Sequence, residues 1–277
     1  QGVDEDVYKI ISEEELYSRT GIQKQSFNTI YQLMAVKKNN PEHLKAAKNF
    51  LMLPDYFHFL LTGQKCSEYT NATSTQLINA QTNDWDRELI ERLGYPQEMF
   101  LPLSQPGTLV GSFTKEIEEE VGFSCEVVLP ATHDTGSAVM ALPGEGDKNL
   151  YISSGTWSLM GIENKTAICT EESRKRNFTN EGGYEYRYRY LKNIMGLWMI
   201  QSVRKELENK YSFAELCAMA SRHSDFPSRV DVNDPVFLAP DSMIRAIREM
   251  CAKTGHPVPE TPDELAAVVY ESLSDSY

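Results

Sequence analysis

The sequence predicts an α/β protein built as two lobes with a cleft between them. Three observations carry that reading. A short apolar strand at 126–131 leads through a polar cluster, His133-Asp134-Thr135, into a small-residue helix. A Pro- and Gly-rich stretch, 143–148, then reads as a hinge. Beyond it a strand pair restarts the chain before helices take over. At about 150 residues per domain, 277 residues make two domains, 1–147 and 148–277. A composition 41% apolar and 24% charged supports a sizeable core and excludes wholesale disorder.

The elements follow from local chemistry. Phe27, Ile30, Tyr31 and Met34 recur at helical spacing. Pro54-Asp55 opens an apolar helix that Gly63 closes, Asp86 opens another that runs to Leu93, and Glu116–Val121 ends at Gly122. Residues 126–131 form an apolar run of the kind a buried strand shows. Residues 150–154 and 157–162 read as a hairpin broken at Gly155-Thr156. In 184–190 (YEYRYRY) the tyrosines alternate onto one face, with Arg187 and Arg189 on the other. Helices are expected at 196–208, 213–222, 241–252 and from Pro262 onward.

Charge and cysteine usage narrow the function classes. The net charge of −13 argues against general nucleic-acid binding and against an anionic membrane surface. The charge is uneven, with 11 basic against 22 acidic residues in 1–147 and 16 against 18 in 148–277, so a polyanion meets less repulsion over the second half. No apolar run reaches the roughly 18 residues of a bilayer span, and no secretory signal is visible. Five scattered cysteines show no CxxC or Cys/His ligand spacing. The expectation is a cytoplasmic protein with no disulfide framework and no metal site. A start at Gln1 and a stop at Tyr277 inside a helical pattern suggest a piece of a longer protein.

Asp134 is the first candidate for chemistry. It can cap the following helix, with Ser137 at the third helical position, and the same carboxylate can serve as a general base. His133 beside it is a structural hydrogen bonder or a catalyst. Ser153-Ser154-Gly155-Thr156 is either a plain hairpin turn or a phosphate site, with Gly155 allowing close approach and Thr156 donating its hydroxyl. Neither GxxxxGK[ST] nor GxSxG occurs, which counts against a P-loop and a serine hydrolase. Arg187 and Arg189 can bind an anion or line a solvated face. Asn193 shares their face if the strand continues, and Gln201 lies in the first turns of the helix that Gly196 starts.

Taken in order, the strings SRTGIQKQSFNTIYQL (18–33), LMLPDYFHFLLTG (51–63), EYTNATSTQLIN (68–79), HDTGSAV (133–139), YISSGTWSLMG (151–161) and LKNIMGLWMIQ (191–201) resemble the FGGY carbohydrate kinases. The resemblance implies a two-lobed, actin-like and ribonuclease-H-like fold, incomplete at both termini. Residues 1–147 then belong to the sugar-binding lobe and 148–277 to the nucleotide-binding lobe. It implies transfer of the γ-phosphate of ATP, with Mg²⁺, to a sugar hydroxyl. The foremost substrate is L-rhamnulose; xylulose, fuculose or gluconate, or a non-catalytic sugar-binding relative, are the alternatives. On this resemblance Asp134 is the catalytic base, and His133, Thr135 and Asn193 contact the sugar. Thr156 and Gly155 contact nucleotide phosphate, and Gln201 contacts ATP. Gly136 stands where the family usually has Ala. The family's opening phosphate loop and its Gly-rich adenosine segment are missing from 1–277, so this stretch alone is expected to have negligible kinase activity.

Overall fold

The structure, a computed structural model, describes residues 2–143 and 149–277. Of the hinge expected over 143–148, only Pro143 falls within that range. The chain forms two compact units, Gln1–Leu150 with Gly161–Leu191 and Tyr151–Met160 with Lys192–Tyr277.

The first unit begins with helices α1 (Val3–Tyr8), α2 (Glu13–Thr20), α3 (Thr29–Asn39), α4 (Pro41–Ala46) and α5 (Leu53–Thr62). Ser12 caps α2 by accepting from Glu15 N, and Gly21 and Gly63 close α2 and α5 at φ 67° and 70°, angles that a side chain would strain. Strand β1 (Ser67–Glu68) leads into α6 (Tyr69–Thr73) and the ribbon β2 (Ile78–Asn79) and β3 (Asp84–Trp85). Then come α7 (Arg87–Arg92), β4 (Leu103–Ser104), β5 (Leu109–Ser112), α8 (Lys115–Val121), β6 (Glu126–Val128) and α9 (Asp134–Met140). Ile30, Tyr31 and Met34 enter the core with Leu16, Leu77, Trp85 and Leu89 as their spacing predicts, but Phe27 precedes the helix and stays exposed.

Two elements in this stretch depart from expectation. The strand read at 126–131 is only three residues long and pairs antiparallel with β5; Val127 is buried, while Glu126 and Val128 face out. Helix α5 is inverted. It turns Asp55 and Thr62 inward and leaves Leu53, Tyr56, Phe57 and Leu60 exposed. Burial pushes the Asp55 carboxyl up to about 7, against the hydrogen bond that the Glu68 amide donates to it.

Next come β7 (Leu150–Ser154), β8 (Trp157–Asn164), α10 (Glu171–Lys175), β9 (Phe178–Gly182) and β10 (Tyr188–Met195), with sheet order β7-β8-β10-β9. The alternation through YEYRYRY fails as a strand. Glu185 and Tyr186 take φ of 55° and 58°, forming a tight turn, so the strand starts only at Tyr188. In the second unit, α11 (Trp198–Glu206), α12 (Phe213–Arg222), α13 (Met243–Lys253) and α14 (Pro262–Ser276) lie where the periodicity predicts. Capping boxes Ser212/Glu215 and Thr261/Glu264 fix two of their starts. The stripe Ile200 and Val203 is fully buried against Leu216, Ile247 and Val268, and Trp198 packs on the same core.

Ion pairs join α2 to α7, and the most buried of them is Arg19 with Asp86. Arg19 donates to both Asp86 oxygens, at 2.8 and 2.7 Å, and Asp86 also caps α7 by accepting from Leu89 N. Burial works against the Asp86 charge, yet the Arg19 and Leu89 hydrogen bonds outweigh it and hold the carboxyl below its ordinary 3.8. The stabilisation is therefore present above that ordinary value and is lost as pH falls through the lower folded one. Asp86→Ala is expected to cost about 2 kcal/mol near neutral pH, because it removes a buried charge-assisted partner and the cap of α7, although Glu88 still accepts from Arg19 at 3.0 Å. Urea unfolding checks this, and a variant as stable as the parent contradicts it.

Candidate functional site

In the first unit the site is built around a buried carboxylate. Glu68 is fully buried at the start of α6 and accepts five hydrogen bonds. Thr70 N, Thr70 Oγ1 and Asn71 N donate at 2.7, 2.6 and 3.1 Å. Thr132 N and Thr132 Oγ1 donate at 3.0 and 2.7 Å across 64 positions of sequence. His133 N follows, 3.4 Å from Thr70 Oγ1. The backbone entering α9 is thereby held on α6.

This anchoring corrects the expected cap. His133 is the extended residue that precedes α9, and Asp134 is already its first helical residue. The amide of Ser137, which an Asp134 cap was to satisfy, donates to the His133 carbonyl at 3.2 Å. The Ser137 hydroxyl donates to the Ala131 carbonyl at 2.7 Å. The Asp134 side chain is 100% exposed, and its Oδ1 accepts from Thr135 N at 2.7 Å. Thr135 itself is buried. An exposed carboxylate on a pinned backbone can accept a proton from an approaching hydroxyl.

Behind His133 lie two residues to which sequence reading gave no part in this site. His133 Nε2 faces Glu181 Oε2 at 3.6 Å, and Glu181 pairs with Arg189 Nη1 at 3.1 Å. Arg189 is wholly buried, and its Nε and Nη2 both donate to the Gly182 carbonyl. It neither lines a solvated face nor stands open to an outside anion, as the alternation suggested. Burial lowers the pKa of His133, with Glu181 pulling the other way, and thus favours the neutral ring. His133 Nδ1 is buried without a hydrogen-bond partner. Glu181 is marked in the sequence only by the turn Asn180-Glu-Gly-Gly183, and Glu68 only by its place before Tyr-Thr-Asn.

The second unit carries the other candidates. The carbonyls of Gly155 and Thr156 accept from Leu197 N and Trp198 N, at 2.9 and 3.2 Å, so the hairpin turn sits on the start of α11. Gly196 makes this possible, since a Cβ there would lie 2.6 Å from the Gly155 oxygen. The Thr156 side chain is exposed, and half-buried Gln201 lies one turn into α11. Asn193 is half-buried on β10, three positions before Gly196.

Comparison with known proteins decides the family. The model described as the FGGY family of carbohydrate kinases, N-terminal domain, matches residues 2–141, and the C-terminal domain of the same family matches 150–277. The chain belongs to the FGGY family of carbohydrate kinases. A protein named rhamnulokinase from Halalkalibacterium halodurans is 56% identical over 276 residues, and one from Oceanobacillus iheyensis is 52% identical. Each match takes in 100% of this chain but only 59% and 58% of the relative. The chain therefore spans little more than half the length of these FGGY relatives. Among solved structures, a xylulose kinase from Rhodospirillum rubrum superposes with a TM-score of 0.77 at 15% identity, over 99% of this chain and 55% of that one. A gluconate kinase from Lactobacillus acidophilus gives 0.74 at 18%, over 97% and 55%. These neighbours bear out the expected α/β sugar-kinase fold of actin-like, ribonuclease-H-like type.

Two glycines test the packing in opposite directions. Gly196→Ala is expected to destabilise the second unit by about 1–3 kcal/mol through its clash with the Gly155 carbonyl. At Gly136 a Cβ would meet Ala131 at 3.4 Å and Arg189 at 3.7 Å, which are ordinary contacts, so Gly136→Ala is expected to gain about 0.5–1 kcal/mol. Urea denaturation of both variants reads this, and equal midpoints would contradict it.

Proposed function

We propose that the whole protein phosphorylates L-rhamnulose at its first hydroxyl, with Asp134 as general base. The observation that carries the reading is the 52–56% identity of the entire chain to proteins named rhamnulokinase, together with an exposed Asp134 carboxylate on a pinned strand–helix junction. The roles of the segments follow the family: 1–147 for sugar and 148–277 for nucleotide. ATP supplies the phosphoryl group, and Mg²⁺ offsets the charge on it.

The residues present suit the nucleotide and the sugar. Among the described residues nothing pairs with the Thr156 hydroxyl or amide, and Gly155 leaves the approach to the turn uncluttered, as a phosphate contact requires. Gln201, one turn into α11, takes the remaining nucleotide contact. On the sugar side His133, whose ring burial favours as neutral and whose Nε2 faces Glu181 Oε2 at 3.6 Å, is the residue next to Asp134 that contacts the sugar. Thr135 and Asn193 complete the sugar contacts. Asp134 takes the proton of the attacking hydroxyl as its oxygen bonds to phosphorus and ADP leaves.

A cytoplasmic location belongs to the same proposal. The five cysteines are free thiols, which suits a reducing compartment, and no helix among the described residues is long and apolar enough to cross a membrane.

In the whole protein, Asp134→Asn is expected to lower kcat by about 10²–10⁴-fold while sugar binding persists. Near-normal turnover would remove Asp134 from the role of base. A panel of L-rhamnulose, xylulose, fuculose and gluconate is expected to give the highest kcat/KM with L-rhamnulose, and preference for another member would reassign the substrate.

A further inference from the structure

Helix α5 buries the wrong side for an amphipathic helix. Its apolar stripe points out, and Asp55 and Thr62 point in. Asp55 and His58 are three residues apart, hence on one face. The turn at Gly63 brings the chain back so that Cys66 joins them, and one ligand atom from each of Asp55, His58 and Cys66 lies within 4.8 Å of the others. Asp55 is fully buried and His58 partly so. Asp55 Oδ2 and His58 Nδ1 are both shielded from solvent and lack any hydrogen-bond partner. Glu68 lies close enough to act on His58 and Cys66 electrostatically, and among the described residues no ion pair reaches Asp55 or Glu68. A fully buried carboxylate oxygen with neither hydrogen bond nor cation is a costly arrangement that a bound cation would resolve.

We propose that Asp55, His58 and Cys66 form a zinc-binding site. The donor set decides the metal: one thiolate, one imidazole and one carboxylate suit zinc, whereas calcium and magnesium require six or more oxygens. Zinc bonds of about 2.0–2.3 Å place tetrahedral ligands about 3.5 Å apart, so side-chain rotations closing about 1 Å complete the site, with water as the fourth ligand. The Cys66 thiol gives up its proton to solvent as the sulfur–metal bond forms. The bound ion ties α5 to the strand that carries Glu68, whose amide already donates to Asp55 Oδ1 at 3.2 Å. The proposal is independent of the phosphoryl-transfer reading.

The test uses the 277-residue chain stripped of metal with chelator. Cobalt(II) alone is expected to bind at one equivalent with a thiolate-to-cobalt charge-transfer band, which added zinc erases. Zinc is also expected to protect Cys66 from alkylation while exposed Cys125 and Cys217 react unchanged, as read by peptide mass spectrometry. Cys66→Ser should abolish the band, and His58→Gln should weaken cobalt binding at least about tenfold. If Cys66→Ser fails to fold, the alkylation assay on the unaltered chain still decides. No charge-transfer band, no protection of Cys66, or a band surviving in folded Cys66→Ser overturns the proposal.

Discussion

The first unit turns on one side chain, the carboxylate of Glu68. A carboxylate only accepts hydrogen bonds, and a buried one demands that its lone pairs be filled. Here two segments far apart in sequence fill them. Residues 70 and 71 contribute three donors and Thr132 contributes two. The arrangement fixes where the chain leaves β6 and enters α9, and so where His133 and Asp134 stand. A five-donor carboxylate acts as a geometric post rather than as a source of charge for chemistry. Asp134, by contrast, stays exposed.

His133 shows how burial can prepare a neutral group. Arg189 is buried on the Gly182 carbonyl and holds Glu181, and Glu181 faces the imidazole. Burial favours the uncharged ring, and the nearby carboxylate works against that shift. The second unit uses a different device, close backbone contact. Gly196 lets the turn at Gly155-Thr156 rest on the first amides of α11, leaving the Thr156 hydroxyl exposed.

Most helices were legible because their signals are local. Pro54-Asp55, Asp86 and Pro262 at helix starts, and the glycines at 63 and 122 at helix ends, each act within a few residues. Of the candidate residues, His133, Asp134 and Thr135 stand at the start of α9, and Gly155, Thr156, Asn193 and Gln201 stand in the second unit. What stayed hidden depends on contacts distant in sequence. The helix start at Asp134 follows from a bond to Glu68, not from local cap preference. Arg189 was misread because period-two alternation assumes one solvated face, whereas β10 lies inside the sheet and Glu181 and Gly182 of β9 take up the guanidinium. Asp55, His58 and Cys66 match no ligand spacing, since the turn at Gly63 brings them together. The apolar stripe of α5 pointed the wrong way, because the partners of that helix select its polar face.

The central claim is that Glu68 holds the junction carrying His133 and Asp134. Amide hydrogen exchange on Glu68→Gln tests it most directly, since the replacement keeps the shape but turns one acceptor into a donor facing donors. Protection at Thr132 and His133 is expected to fall at least about tenfold, while helices α12 and α14 of the second unit exchange as before. Unchanged protection at Thr132 would contradict the account.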